Sequence, residues 1–482
     1  MQPQTQNCIV MDTQMFGRKR ESDLIREYLQ SERSEFVAVY GRRRIGKTFL
    51  LRTVLAEQAT FCFTGMANIS TSAQLQNFSL TLRQYEGEAY NFRNWQEAFY
   101  GLQNYLERQK SEKKVVFFDE LPWIDTPKSN FIPAFEHFWN SWASARSDVK
   151  LFVCGSAASW MLNNVINSHG GLHNRVTHQM LLEPFSLKEC KEYFLANHFG
   201  YSDKEIAEFY MVFGGVPYYL SLMDKQLSVA QNIDRLIFSP TGELVNEKHN
   251  MFRSLFRRSE DYMLIVDTLS EKTYGLTRSE ILEATKLNNN ALFSKRLEEL
   301  EECHFIRHYE DYSRRQRQVV YQLTDPLCHF WHKIVEKNSY QDPEFWSHSI
   351  LSPLYNAWSG LAFEILCLNQ VQQIKQALGI GGIQSRVYSW RLAGDGDKGA
   401  QVDLVIDRAD QCVNICEMKF SRAEYELTKT ERERIENRIN RFVERAEPHK
   451  SIRLTMITSY GLKPNTHSAI IQNSVTLADL MQ

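Results

Sequence analysis

Three groups of residues in this sequence could do chemistry. Gly41-Arg42-Arg43-Arg44-Ile45-Gly46-Lys47-Thr48 fits G-x-x-x-x-G-K-T at every fixed position. A glycine-bounded loop of that length can wrap a phosphate with backbone N–H groups while the helix after it points its positive dipole end at the anion. Lys47 would bridge two phosphates and the Thr48 hydroxyl would ligate Mg2+. Next, Asp119-Glu120 closes the run Val115-Val116-Phe117-Phe118. There Asp119 would hold Mg2+ through water, and Glu120 would orient and deprotonate an attacking water. The third group is Glu364, Asp403, Glu417 and Lys419. Two carboxylates and a lysine converging at a strand end can hold Mg2+ and direct water at phosphorus.

Each group needs elements to position it. Phe36-Val37-Ala38-Val39-Tyr40 reads as a buried strand before the loop, and Phe49-Leu50-Leu51 opens a helix expected to reach about Ala59. The run into Asp119 reads as a central parallel strand that empties at its C-terminal edge, where such sheets bind ligands. Lys150-Leu151-Phe152-Val153-Cys154-Gly155 is a third buried strand, with Ser156 at its exit. Arg175 precedes a further strand-like stretch, Gln179 to Leu182. Ser186 and Glu189 have capping-box spacing, and Gly214-Gly215-Val216-Pro217 breaks one helix from the next.

The set GRRRIGKT, FFDELPW, CGSAASWM, LLEPFSLKE and GGVPYYL resembles the archaeal-type ATPases within the STAND-like AAA group, over roughly residues 14–250. That resemblance implies ATP, ADP and Mg2+ as ligands. It places Ser156 at a sensor position and Pro217 against the base, with Gly215 allowing its approach. Gly17 and Arg18, ahead of a helix, resemble the segment that closes over adenine in AAA-type ATPases of the origin-recognition and STAND kind. Arg42, Arg43 and Arg44, with Ile45 and Phe49, are then phosphate or lid contacts. Arg175 is either an arginine finger, in cis or toward a neighbouring copy of a homo-oligomer, or a surface arginine.

Farther along, the helical stretch Tyr262–Leu269, the capping box Thr277/Glu280, a helix led by Asn288-Asn289-Asn290, and two alternating strands with a basic tip describe a winged helix-turn-helix. In one reading Asn289, Asn290 and Lys295 face a DNA groove while Arg314, Arg315 and Arg317 clamp phosphates. In the other the element packs only on protein, and Glu298, Glu299, Glu301 and Glu302 on the third helix favour that.

The remainder, 346–482, reads as a separate α/β domain. Period-two geometry puts Glu417 and Lys419 on one strand face, and a hairpin brings Asp403 alongside. The order helix Glu364, strand Asp403, strand Glu417-x-Lys419, charged helix, strand resembles the PD-(D/E)XK restriction-endonuclease-like family. Gln401 is an accessory candidate, and Val402 stands where the family's proline would be.

The expected architecture is therefore α/β. It comprises a P-loop parallel sheet at 14–182, a helical lid at 183–252, a winged helix at 253–335 and a nuclease-like domain at 346–482. The 482 residues suit several domains, and the formal net charge of −2 excludes a global positive field, so any DNA site must be local. Nine scattered cysteines, no apolar run of about 20 residues and no leader-like start point to a reduced cytoplasmic protein without membrane contact. The expected function is ATP hydrolysis controlling a DNA nuclease. The rival is a STAND-like nucleotide switch that binds DNA or protein without cutting it.

Overall fold

Strand β1 (Glu35–Tyr40) lies between two parallel neighbours because both of its faces are apolar. Phe36 and Ala38 enter one core with Phe61, Phe63, Phe118 and Phe135. Val37 and Val39 enter the opposite core with Leu50, Leu51, Phe117 and Phe152. Each such apolar side chain, fully buried, stabilises the sheet by about 1.5–3 kcal/mol. The computed structural model describes residues 15–167, 170–256, 258–272, 274–312, 319–338, 342–392, 400–446 and 448–482. Arg314, Arg315 and Arg317 lie outside them.

The chain divides into two compact units at Pro184/Phe185. In the first, β2 (Ala59–Thr64), β3 (Lys114–Asp119), β4 (Val149–Gly155) and β5 (His178–Leu181) join β1 in an all-parallel sheet of order β2-β3-β4-β1-β5. Helices cover both faces, as an all-parallel sheet requires. The helix after the glycine loop spans Lys47–Leu55, one turn short of the expected end, because β2 already begins at Ala59.

The second unit, Phe185–Gln482, holds two sheets. β6 (Leu276–Thr277), β7 (Ile306–Glu310) and β8 (Val319–Leu323) form an antiparallel sheet of order β6-β8-β7, with helices Ser259–Glu271, Arg278–Thr285 and Ala291–Glu302 beside it. The larger sheet is mixed. β9 (Ser385–Leu392), β10 (Ala400–Arg408) and β11 (Cys412–Lys419) run antiparallel, while β12 (Ser451–Thr458) and β13 (Asn473–Thr476) add in parallel. Helix Lys429–Ala446 packs Ile435 and Phe442 into the core formed by Val405, Val413, Ile415 and Leu454.

The segments read from sequence as lid, winged helix and C-terminal domain are bound together inside this one unit. The Tyr355 hydroxyl donates to Glu208. Gln370 Nε2 donates to the Tyr210 hydroxyl at 3.3 Å, and the backbone N–H groups of Trp346 and Ser347 donate to Asp234 at 2.8 and 2.9 Å. Among the described residues no helix is long and apolar enough to cross a membrane.

Candidate functional site

The glycine loop is shaped by backbone that L-residues resist. Gly41 has φ +137°, Arg44 +69° and Gly46 +88°. A Cβ at Gly41 would lie 2.3 Å from the Leu182 carbonyl oxygen, so glycine is required there sterically as well. A Cβ at Gly46 would meet nothing within 4 Å, which leaves open space on that side of the loop. Lys47 is 5% exposed, and its ammonium donates to the carbonyls of Gly41 (2.9 Å) and Arg42 (2.7 Å). Ile45 and Arg42 are buried. Gly17 and Arg18 both adopt left-handed backbone, at φ +64° and +56°. The Arg18 guanidinium then reaches the carbonyls of Ile45 (3.3 Å) and Glu183 (2.5 Å), so it ties the N-terminal segment to the loop.

β1 and β3 bring the loop's helix to the carboxylates. Thr48 Oγ1 donates to Asp119 Oδ1 at 2.9 Å. Two residues that sequence reasoning missed complete the surroundings of Asp119. The Cys154 thiol donates to the same oxygen at 2.8 Å, and Arg52 Nη2 lies 3.5 Å from the other. Arg52 had a signal, since it stands one helical turn after Thr48 on the same face. Cys154 had none beyond its place in an apolar strand. Burial pushes the Cys154 thiol well above its ordinary range.

Glu120 leaves β3 with φ +50°, a strained conformation for glutamate. Its Oε2 accepts the Ser156 hydroxyl at 2.9 Å and the Ser156 N–H at 3.2 Å. Burial raises its carboxyl above the usual range, partly offset by the Lys47 charge and the Ser156 bonds. Arg175 is exposed on the turn before β5, its backbone N–H bonded to Leu172 O at 2.9 Å. Pro217 is the first residue of helix Pro217–Ser221 in the second unit, after Gly214 and Gly215 at φ +66° and +72°.

The third group is assembled by the mixed sheet. Antiparallel pairing sets Leu404 opposite Cys416, hence Asp403 opposite Glu417. The pairing of β10 with β9 slips between Val402 and Val405, the interval that contains Asp403. Lys419 Nζ lies 2.7 Å from Glu417 Oε1. Gln401 donates to Asp403. Glu364 arrives from helix Pro353–Asn369, and its carboxyl is pushed up to about 9 by burial first, then by the charges of Asp403 and Glu417. Burial raises Asp403 too, against the bond from Gln401. Sequence reasoning missed Arg438, which pairs with Glu417 Oε2 from helix Lys429–Ala446.

Of the expected DNA-reading residues, Asn289 and Asn290 are engaged within their own chain. Asn290 caps its helix through the Phe293 N–H at 3.0 Å, and Asn289 accepts from Arg278 at 2.9 Å. Lys295 is exposed, 3.9 Å from Glu299.

Part of this chain is similar to known proteins. Residues 15–223 match the model of an ATPase domain predominantly from Archaea. An uncharacterized protein of Methanocaldococcus jannaschii is 24% identical over 276 residues, which cover 57% of this chain. The match spans 55% of that relative's length. Among solved structures, a Walker-type ATPase of Pyrococcus abyssi is similar with 19% identity and a TM-score of 0.49, over 67% of this chain and 98% of its own. The ORC2 protein of Aeropyrum pernix, in its ADPNP–ADP complexes, is similar with 11% identity and a TM-score of 0.41, over 74% of this chain and 96% of its own.

Proposed function

We propose that this protein binds ATP with Mg2+ at Gly41–Thr48 and hydrolyses it with Glu120 as the base. We further propose that the nucleotide cycle controls a Mg2+-dependent, DNA-cleaving site built from Glu364, Asp403, Glu417 and Lys419. The observation that carries the first part is the 2.9 Å bond between Thr48 and Asp119. A hydroxyl and a carboxylate, both hard oxygen donors, fit Mg2+. The turned backbone at Gly41, Arg44 and Gly46, with open space at Gly46, fits a polyphosphate. The match of residues 15–223 to an ATPase domain agrees.

Mg2+, when bound, would offset charge on the phosphate oxygens. Lys47 supplies the ammonium for the phosphates, and Arg42, Arg43 and Arg44 flank them. Arg18 fixes the segment that borders the loop. Glu120 takes the proton from the attacking water at a carboxylate oxygen, and burial gives that oxygen the raised proton affinity a base needs. Ser156 holds the carboxylate in place. Pro217 is assigned to the nucleotide base by family resemblance.

Glu364, Asp403, Glu417 and Lys419 support the second part by their convergence. Asp403 and Glu417 hold the metal, and Lys419 orients the water and offsets charge developing on phosphorus. Residues 253–335 are assigned as a winged helix that contacts DNA. One assay with Mg2+ or Mn2+ on several DNA forms, with and without ATP, tests the whole. Lys47→Ala should abolish ATP turnover, and Glu417→Ala and Lys419→Ala should abolish cleavage. Absence of cleavage in every condition, with Glu417→Ala equal to wild type, removes the nuclease. A second reading is a nucleotide switch that binds DNA or protein without cutting it. One observation favours it: both oxygens of Glu417 are paired with cationic side chains.

A further inference from the structure

Helix Lys429–Ala446 carries Arg434, Arg438, Arg441 and Arg445 at intervals of four, three and four residues. At about 100° per residue these positions fall in a sector roughly 60° wide, and the stripe runs about 16 Å along the axis. Ile435, Phe442 and Ala446 occupy the adjacent sector and are buried against the mixed sheet. The helix's glutamates lie elsewhere. Glu433, Glu436 and Glu444 project from other faces. Glu431 precedes the stripe and accepts bonds from Tyr425 and Thr428. The sector is thus uniformly cationic in a helix whose overall composition is mixed.

Two further features separate the stripe from an ordinary solvated face. All four residues are arginine, whose planar fork matches phosphate in a bidentate way that lysine cannot. The stripe is also continuous with the carboxylate cluster. Arg438 is half-buried and paired with Glu417, while Arg434 and Arg445 to either side are exposed. A single helix therefore joins the exposed guanidinium groups of Arg434 and Arg445, through Arg438, to the group assigned to cleavage.

We propose that Arg434, Arg438, Arg441 and Arg445 form the track for a DNA phosphate backbone, and that Arg438 positions that backbone at the carboxylate cluster. This rests on the DNA-cleaving reading of the cluster and assigns the surface that delivers its substrate.

The test is fluorescence anisotropy of full-length protein with labelled duplex DNA in EDTA, across a salt series. EDTA separates binding from cleavage. Arg434→Glu with Arg445→Glu should weaken binding at least tenfold at 0.1 M salt and lower the slope of log K against log salt by about 2, one for each phosphate no longer neutralised. Adding Arg438→Gln should remove about one more. Circular dichroism and ATP turnover should not change, and Arg20→Glu, on an exposed position of the first unit, should bind as wild type. Equal affinity and slope in wild type and the double variant overturn the proposal. So does failure of the wild type to bind DNA, or binding confined to RNA of the same sequence. If the double variant loses binding and no DNA is ever cut, the nuclease reading falls and the track stands. If the double variant cuts DNA normally, the track falls and the nuclease reading stands.

Discussion

Glu120→Gln separates base chemistry from nucleotide binding in one substitution. Glutamine keeps the side-chain length and one carbonyl oxygen. That oxygen can still accept the Ser156 hydroxyl and N–H, which now reach Glu120 at 2.9 and 3.2 Å. What is lost is the anionic oxygen that takes a proton. A positioned general base contributes about 10²–10⁴-fold, which is about 2.7–5.4 kcal/mol of barrier at 1.36 kcal/mol per tenfold. Turnover, followed as phosphate release, should fall by that range. Stabilisation of the protein by ATP and Mg2+ in a thermal-shift series should persist, because Thr48, Asp119 and the glycine loop are untouched. The pH profile gives a second readout. Glu120 must be ionised to act, and burial raises its carboxyl. Wild-type turnover should therefore rise with pH along a limb above the ordinary carboxylate range. Ser156→Ala removes a bond that favours the ionised form, so it should move that limb to higher pH. A loss under about tenfold in Glu120→Gln, or loss of ATP-dependent stabilisation with it, would refute the assignment.

Gly41→Ala should destabilise the first unit by on the order of 3 kcal/mol, measured by urea denaturation, since the new Cβ meets the Leu182 carbonyl at 2.3 Å on backbone at φ +137°. Lys248→Met should cost about 3–5 kcal/mol in the second unit by the same assay, because this 1%-exposed ammonium lies 2.6 Å from both Asp267 and Glu336. Acid unfolding tests the same network from the other side. Glu336 and Glu271 are held down to about 2 by bonds from His332 and Lys333 respectively. Their folded-state values lie below the ordinary 4.5, so their contribution is full above that pH and is lost as pH falls toward 2. Circular dichroism of the wild type should show that loss within this window, and Lys333→Ala should shift it upward by weakening Glu271's share.

The legible parts of this chain were those set by neighbours in sequence. G-x-x-x-x-G-K-T states its own backbone, since Gly41 and Gly46 mark where φ must be positive, and the flanking apolar runs announce a strand and a helix. Glu417 and Lys419 could be paired from strand period alone, and they meet at 2.7 Å. The illegible parts were those decided by packing at a distance. Arg438 reaches Glu417 only because Ile435 and Phe442 seat their helix on the mixed sheet. The joining of the later segments into one unit was hidden for the same reason. Residues 203–213 read as part of a lid, yet Glu208 and Tyr210 bond to Tyr355 and Gln370 far along the chain.

The two arginines that reading missed share a role. At each carboxylate centre an arginine from an adjoining helix stands against the anion, Arg52 beside Asp119 and Arg438 beside Glu417. A divalent cation bound there would share or displace that guanidinium, so the arginine would set how tightly a metal is held, with phosphate as its alternative partner. The two centres differ in how far this goes. Among the described residues Asp119 Oδ1 accepts from two neutral donors, Thr48 and Cys154, and its arginine is 3.5 Å from the other oxygen. Glu417 is cationically paired on both oxygens, and burial together with the Asp403 and Glu417 charges raises the carboxyl of its neighbour Glu364. A metal at the first centre would replace neutral bonds. A metal at the second would exchange two ion pairs, and a phosphate that draws Arg438 away would lower that barrier. Metal binding at the second centre should accordingly be tighter with DNA present than without it. Mn2+ titration calorimetry on Glu417-intact protein, with and without a non-cleavable phosphorothioate duplex, measures that difference. Equal Mn2+ affinity in the two titrations would show that Arg438 does not gate the site.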